Sequence, residues 1–231
     1  MSHPLLLLWD IDGTLLQRAS VEHAAALYRA LREVHGELEF EAIGVTAAGR
    51  TDGAIARDIL LGCGVGVERI DACVERVAEA TEAAYEEMCP ADLSAKVAPG
   101  ILELLPELER THHFSLVTGN FEPVARLKLE RAGIGRFFPP GQGGFGTDAE
   151  AREELPPIAR ARAGDWPRER TVVIGDTPND IACARADGLR VIAVTTGPFD
   201  AEALAEADHV ASGAEELAPL LSDAAAAVSA R

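Results

Sequence analysis

Short unbroken apolar runs alternate with longer amphipathic stretches along most of this chain. Leu5-Leu6-Leu7-Leu8-Trp9 is the first run, and Asp10 ends it. Phe114-Ser115-Leu116-Val117, Thr171-Val172-Val173-Ile174 and Val191–Val194 follow, with a weaker run at Ala207–Val210 and a short strand expected near Gly143–Phe145. A strand buried on both faces reads as such a continuous run. Between the runs, helices are predicted over Pro99–Arg110, Pro123–Ala132, Ala149–Ala163 and Asn179–Ala186, each near Pro or Gly punctuation. Strands alternating with helices predict an α/β chain built on a doubly wound parallel sheet. The Ala-rich tail from Ala224 is expected to fray.

The rhythm is interrupted once. From about residue 17 to 92 no convincing strand occurs. Ala24, Leu27, Tyr28, Leu31 and Val34 recur at three-and-four spacing between Ser20 and His35. A helix is predicted over Asp52–Leu61, broken by Gly62–Gly66. Val67, Ile70, Val74, Val77, Ala84 and Met88 predict one long helix ending before Pro90. The pattern therefore predicts a core of residues 1–16 and 96–231 with an all-helical domain, 17–95, inserted after the first strand. The crossings at Leu16–Ala19 and Asp92–Ala98 are hinge candidates.

Composition narrows the partners. The 231 residues carry a formal charge of −17, with 21 basic against 38 acidic side chains. That argues against a general nucleic-acid binder or a binder of anionic membranes, which need basic surface. A small anionic substrate stays open, because a bound metal reverses the local sign. Cys63, Cys73, Cys89 and Cys183 form no CxxC pattern, so a reduced, cytoplasmic chain is expected. Met-Ser-His-Pro before the leucines lacks the basic start of a signal peptide. No apolar run reaches the ~20 residues of a membrane span. A monomer and a homodimer are equally compatible with these features.

Chemistry gathers where strands end. Asp10 and Asp12 follow the first run, Thr118 follows the second long one, and Asp176 with Asp180 follows Thr171–Ile174. Parallel strands place these positions on one edge of the sheet, where ligands of open α/β folds bind. Singly, each has an ordinary explanation: an acid after a strand caps the next helix, and Thr118-Gly119-Asn120 is turn-like. Together, two carboxylates one residue apart beside further acids need a cation or a hydrogen-bond network.

These residues resemble the motifs of haloacid dehalogenase-like (HAD) phosphohydrolases. Asp10-Ile11-Asp12-Gly13-Thr14 resembles the first motif, Leu116-Val117-Thr118-Gly119-Asn120 the second, and Gly175-Asp176-Thr177-Pro178-Asn179-Asp180 the fourth. The helical insert resembles a C1-type cap, as in phosphoglycolate phosphatase-like members. The resemblance implies a Rossmann-like core and a phosphatase of a small phosphorylated metabolite. It implies Asp10 as nucleophile, forming an aspartyl phosphate, and Asp12 as general acid and base. It implies Mg²⁺ held by the Asp10 carboxylate, the Asp12 backbone carbonyl and Asp176, with Asp180 in support. Thr118 and neighbouring backbone N–H groups, with Gly119 and Asn120, would hold phosphoryl oxygens.

The third motif departs. Many relatives place Lys-Pro at the start of the helix before the fourth motif, whereas this chain reads Gly146-Thr147-Asp148-Ala149-Glu150-Ala151-Arg152. Arg152 is the positional candidate for the basic residue; an exposed helix arginine is its plain reading. Lys128, in Leu127-Lys128-Leu129-Glu130, is the competitor, and its plain reading is a solvated helix face. Asp12 favours phosphate-ester hydrolysis over dehalogenation, since dehalogenases of this resemblance lack that acid. The absence of lysine from residues 17–95 argues against phosphonate cleavage through a cap Schiff base. A sugar phosphomutase would use the same core residues, and a non-catalytic Mg²⁺-binding phospho-acceptor module is the alternative outside enzymes. Arg50 is the best-placed cap cation for a substrate charge. His112, His113 and Trp9 read as structural.

Overall fold

The computed structural model describes residues 4–39 and 46–229. Met1–His3, residues 40–45 of the insert and the last two residues of the tail lie outside the described residues, as does that part of the N-terminal reading. Six parallel strands form one sheet: β1 (Leu6–Trp9), β2 (His113–Thr118), β3 (Gly144–Phe145), β4 (Thr171–Gly175), β5 (Arg190–Val194) and β6 (His209–Ala211). Their order is β3-β2-β1-β4-β5-β6, so β1 is central. Trp9 aligns with Leu116 of β2 and Ile174 of β4. The three chemistry-bearing strand ends are therefore adjacent.

Strand alternation sends Leu5, Leu7 and Trp9 into one apolar layer and Leu6 and Leu8 into the other. Trp9 is fully buried, edge-on to Phe114 at 6.1 Å. It is a core residue, as its sequence position predicts.

The insert is helical among the described residues: α1 (Val21–His35), α2 (Asp52–Gly62), α3 (Val67–Asp71) and α4 (Val74–Met88). The long helix predicted from Val67 breaks at Ala72–Cys73, where Cys73 leaves helical geometry at φ −120°, ψ 4°. Val67 and Val74 are exposed, so the apolar period crosses a break it does not mark. The buried stripe of α1 is also shifted from the predicted one. Ala24 is exposed, and His23, Ala26 and Ala30 join Leu27, Leu31 and Val34 inside.

Core helices follow: α5 (Ile101–Leu108), α6 (Glu122–Arg131), α7 (Leu155–Arg162), α8 (Pro178–Ala186) and α9 (Ala214–Ser229). The helix predicted from Ala149 begins only at Leu155. Pro156 and Pro157 are tolerated in a first turn and not in an interior, and Arg152–Glu154 form a separate 3₁₀ turn. The tail is helical to Ser229, with Ala224 and Ala225 buried, which corrects the expectation of fraying.

The two chain crossings run side by side. Leu16 pairs with Val97 as an antiparallel bridge, flanked by Gln17 N–H to Lys96 O (2.7 Å) and Ala98 N–H to Leu15 O (2.9 Å). At its other end the insert rests on core loops. Asp52 N–H donates to Gly119 O (2.8 Å), Thr51 Oγ1 to Glu150 O (2.6 Å), and Asn179 Nδ2 to Ala48 O (3.0 Å). Gly119 permits this seat, because a Cβ there would lie 2.0 Å from the Arg50 carbonyl oxygen.

Candidate active site

β1 delivers Asp10 to the sheet edge, and its backbone N–H stays tied to Ile174 O at 2.9 Å. Gly13 then turns the chain at φ +95°, close enough to Asp176 that a Cβ would meet its Oδ2 at 2.1 Å. Thr14 Oγ1 donates to Asp176 Oδ1 at 3.1 Å. Asp180 is fixed by a capping box at the start of α8: Thr177 N–H and Oγ1 donate to its Oδ2 at 3.0 and 2.7 Å. One oxygen each of Asp10, Asp176 and Asp180 lies within 4.8 Å of the others, and all three residues are buried.

Two buried cations divide this acidic edge. Arg152 sits on the side of Asp10 and Asp180, donating to Asp10 Oδ1 at 2.8 Å and to Asp180 Oδ1. Lys128 is fully buried on the side of Asp12. Its Nζ donates to Asp12 Oδ2 at 2.6 Å and to Asn120 Oδ1 at 2.7 Å, and approaches His23 Nδ1 at 3.1 Å. Asn120 Nδ2 in turn donates to Asp12 Oδ2 (2.9 Å) and Thr118 Oγ1 (2.7 Å). Lys128 is thus not a solvated helix face, and Arg152 is not an exposed arginine. They pair with different acids, Arg152 with Asp10 and Asp180 and Lys128 with Asp12.

The electrostatics separate the two sides. Burial pushes the Asp10 carboxyl up to about 7, aided by the Asp180 charge and opposed by Arg152. Burial likewise raises Asp176 to about 8, with Asp10 and Asp180 adding to it. Burial also acts to raise Asp12, but the Lys128 charge and hydrogen bonds from Lys128 and Asn120 hold it below the ordinary carboxylate range.

The acidic trio fits a hard divalent cation. Three buried carboxylates face one guanidinium, and Asp176 Oδ2 has no hydrogen-bond partner although it is buried. Gly13 and Gly197 leave the space around that oxygen clear; a Cβ at Gly197 would sit 1.7 Å from it. Oxygen donors of this kind suit Mg²⁺ or a similar ion.

A cavity of about 900 Å³ opens over the edge. Asp10, Asp12, Thr118, Gly119, Asn120, Arg152 and Asp176 line its floor, and Leu27, Tyr28, Ile55 and Ile59 of the insert line its roof. Arg50 also lines it, but its guanidinium is paired with Asp58 at 2.7 Å and donates to Ala54 O. Lys128 lies behind the floor and does not line the cavity itself; its partners Asp12, Asn120 and His23 do. His112 accepts from Leu5 N–H and His113 packs on Trp166, both away from the site.

Sequence reasoning missed His23, Asp52, Thr14 and Gly197. Thr14 stood inside the quoted first motif. His23 had one signal, a polar residue three and four places from Ala26 and Leu27 on the buried stripe. Asp52 resembled a first-turn acid at a helix start and nothing more.

Two acids, Asp10 and Asp12, follow the central strand β1, and Asp176 follows its neighbour β4 with Asp180 in the first turn of α8. The family model described as haloacid dehalogenase-like hydrolase matches residues 7–185, and a second, HAD-hydrolase-like, matches 149–223. The chain belongs to the haloacid dehalogenase-like hydrolases and is an enzyme of that family. It is 27% identical over 212 residues to phosphoglycolate phosphatase of Mesorhizobium japonicum, covering 87% of this chain and 86% of that one. It is 27% identical over 209 residues to phosphoglycolate phosphatase 1 of Pseudomonas aeruginosa, covering 88% and 74%. Among solved structures, a hydrolase from Pseudomonas syringae matches with TM-score 0.64 at 22% identity, covering 96% and 99%. A putative beta-phosphoglucomutase from Bacteroides vulgatus matches with TM-score 0.63 at 22% identity, covering 98% and 90%. Those two likenesses establish the shared fold. Among the described residues no helix is long and apolar enough to cross a membrane.

Proposed function

We propose that this hydrolase is a Mg²⁺-dependent phosphatase of a small phosphorylated organic metabolite, working through an aspartyl phosphate on Asp10. The carrying observation is the division of the edge: Asp10 with Asp176, Asp180 and Arg152, and Asp12 with Lys128. Relatives named phosphoglycolate phosphatase support the same reading. Asp10, Asp176 and the Asp12 backbone carbonyl would hold Mg²⁺, which supplies positive charge for the phosphoryl oxygens.

The residues then divide the work. An Asp10 oxygen attacks phosphorus while the ester P–O bond breaks. Asp12 gives its proton to the departing alkoxide. The resting Asp12 is a carboxylate, so the proton enters with a monoanionic ester, or is gained as a phosphoryl dianion arrives beside it. In the second half Asp12 takes a proton from water, that water attacks the aspartyl phosphate, and inorganic phosphate leaves with Asp10 restored. Thr118 and Arg152 hold phosphoryl oxygens. The insert, residues 17–95, acts as a cap over the core of 1–16 and 96–231, and its roof selects the organic part.

The test is phosphate release from a panel of esters, phosphoglycolate and p-nitrophenyl phosphate included. Activity with Mg²⁺, lost on EDTA treatment and in Asp10→Asn, supports the reading. No phosphate release from any ester contradicts it. Isomerisation of a hexose 1-phosphate without phosphate release would assign a mutase instead.

A further inference from the structure

The roof of the cavity is graded from polar to apolar. Two insert helices each turn one stripe toward it: His23, Ala24 and Leu27 on α1, and Asp52, Ile55 and Ile59 on α2. Residues three, four and seven apart share a helix face, so each stripe is continuous. Their polar ends lie against the core. His23 Nδ1 is 3.1 Å from Lys128 Nζ, and Asp52 Oδ2 accepts the Phe121 N–H at 2.7 Å. Beyond those ends the stripes are hydrocarbon. At 1.5 Å of rise per residue, Leu27 stands about 6 Å along α1 from His23, and Ile59 about 10 Å along α2 from Asp52.

Charge on the roof is already paired. His23 Nε2 and Asp52 Oδ2 meet at 3.0 Å, while Arg50 holds Asp58 at 2.7 Å and donates to Ala54 O. Among the described lining residues the other cationic side chains are Arg152, on Asp10 at the phosphoryl end, and Arg18, exposed in the crossing between β1 and α1. A second anion lying along the stripes would face hydrocarbon and lose its hydration at a cost. A hydrocarbon body there gains by leaving water. The cavity has room for one: its volume of about 900 Å³ is near the top of the range for small-molecule sites, roughly 300–1,000 Å³.

We propose that the substrate is a phosphate monoester with a hydrocarbon body, an alkyl or aryl group that lies along Leu27, Ile55 and Ile59 and carries no second anion. This rests on the phosphatase reading for the reaction and adds the class of its organic part.

A homologous series tests it. With Mg²⁺, kcat/KM rises from ethyl to butyl to hexyl phosphate by about two- to fourfold for each added methylene, the gain expected of CH₂ groups leaving water. Phosphoglycolate and glucose 6-phosphate fall below hexyl phosphate. Ile55→Asn places an amide in the stripe and at least halves the gain from ethyl to hexyl. Thermal melts show whether that variant folds; if it does not, Asp58→Ala carries the comparison. Asp58 is half-exposed, and its removal frees the Arg50 guanidinium for a carboxylate. The ratio of phosphoglycolate to hexyl phosphate turnover then rises by about three- to tenfold. A flat series, a preference for phosphoglycolate or glucose 6-phosphate, or an unchanged ratio in Asp58→Ala overturns the proposal and leaves the phosphatase reading standing. Calorimetry with ethyl- and hexylphosphonate, which cannot be hydrolysed, separates binding from reaction. Tighter binding of hexylphosphonate without hydrolysis of any ester supports the hydrocarbon site and contradicts the phosphatase reading. Neither binding nor hydrolysis overturns both.

Discussion

Arg152 and Lys128 do opposite jobs with similar means. Both are buried cations, and each meets carboxylates from a distant part of the chain. Arg152 rises from a 3₁₀ turn of the core, and its ion pairs are with the core acids Asp10 and Asp180. Lys128 rises from a core helix but completes its hydrogen bonds on the insert. The Asp10 side is thus paired within the core, and the Asp12 side draws on both core and insert. The difference teaches that the Asp10 side is paired by a core cation with no hydrogen bond to the insert, whereas the cation on the Asp12 side also meets His23 of the insert.

Perturbations sort along that division. The largest effect is expected from Asp10→Asn, which removes the nucleophile and drops turnover by about 10⁴-fold or more on every ester. Phosphate-release assays check it; appreciable turnover would place the nucleophile elsewhere. Asp12→Asn costs about 10²–10⁴ on alkyl phosphates while still forming phosphoenzyme from an activated ester. Rapid-quench measurements distinguish the two half-reactions, and loss of both together would undo the separation of roles.

Stability offers the next test. Lys128→Met leaves Asp12 without its counter-charge, which costs up to about 3–5 kcal/mol for a fully buried pair. Asp12 keeps 27% side-chain exposure, so the lower end is expected. Lys128→Met/Asp12→Asn recovers much of that loss in denaturant unfolding. No recovery in the double variant would mean that Lys128 packs rather than pairs.

A smaller effect comes from pH on the other side. The Asp10 and Asp176 carboxyls stand at about 7 and about 8 in the folded chain, above their ordinary 3.8. Between those limits the folded, metal-free protein binds more protons than the unfolded chain. Their contribution to stability is therefore present at low pH and falls as pH rises from about 4 to about 8. A divalent ion relieves the repulsion, so Mg²⁺ raises Tm more at about pH 8 than at about pH 5. Equal shifts at both pH values contradict a metal site on these acids. The smallest change is expected at the rim: Asp58→Ala releases Arg50 from a half-exposed pair and alters stability by about 1 kcal/mol or less.

The legible parts of this molecule are those whose physics is local. Leu6–Trp9 and Thr171–Gly175 stand out because a strand covered on both faces admits almost no polar residue. Asp10, Thr118 and Asp176 follow from strand ends and parallel order. Lys128 was illegible because its flanking sequence resembles a solvated helix face, and Asp12 lies 116 residues away. The pattern from Ala149 predicts a helix through Arg152, but Pro156 and Pro157 hold the helix start at Leu155 and leave Arg152 on a 3₁₀ turn. His23 and Asp52 meet each other by packing of two insert helices, and meet Lys128 and Phe121 where the insert seats on the core, neither of which any spacing along the chain encodes. The break at Cys73 leaves no mark in the apolar pattern, because apolar positions recur on both sides of it.

The central claim is a phosphoryl group carried on Asp10, and trapping it is the most direct measurement. Asp12→Asn protein is mixed with p-nitrophenyl phosphate and Mg²⁺, quenched in acid, digested and mapped by mass spectrometry. The predicted result is one acid-stable, base-labile phosphoryl group on the peptide containing Asp10, absent when EDTA is present. Phosphorylation mapped to another residue, or rapid ester hydrolysis by the wild type with no phosphoenzyme in either protein, would contradict it.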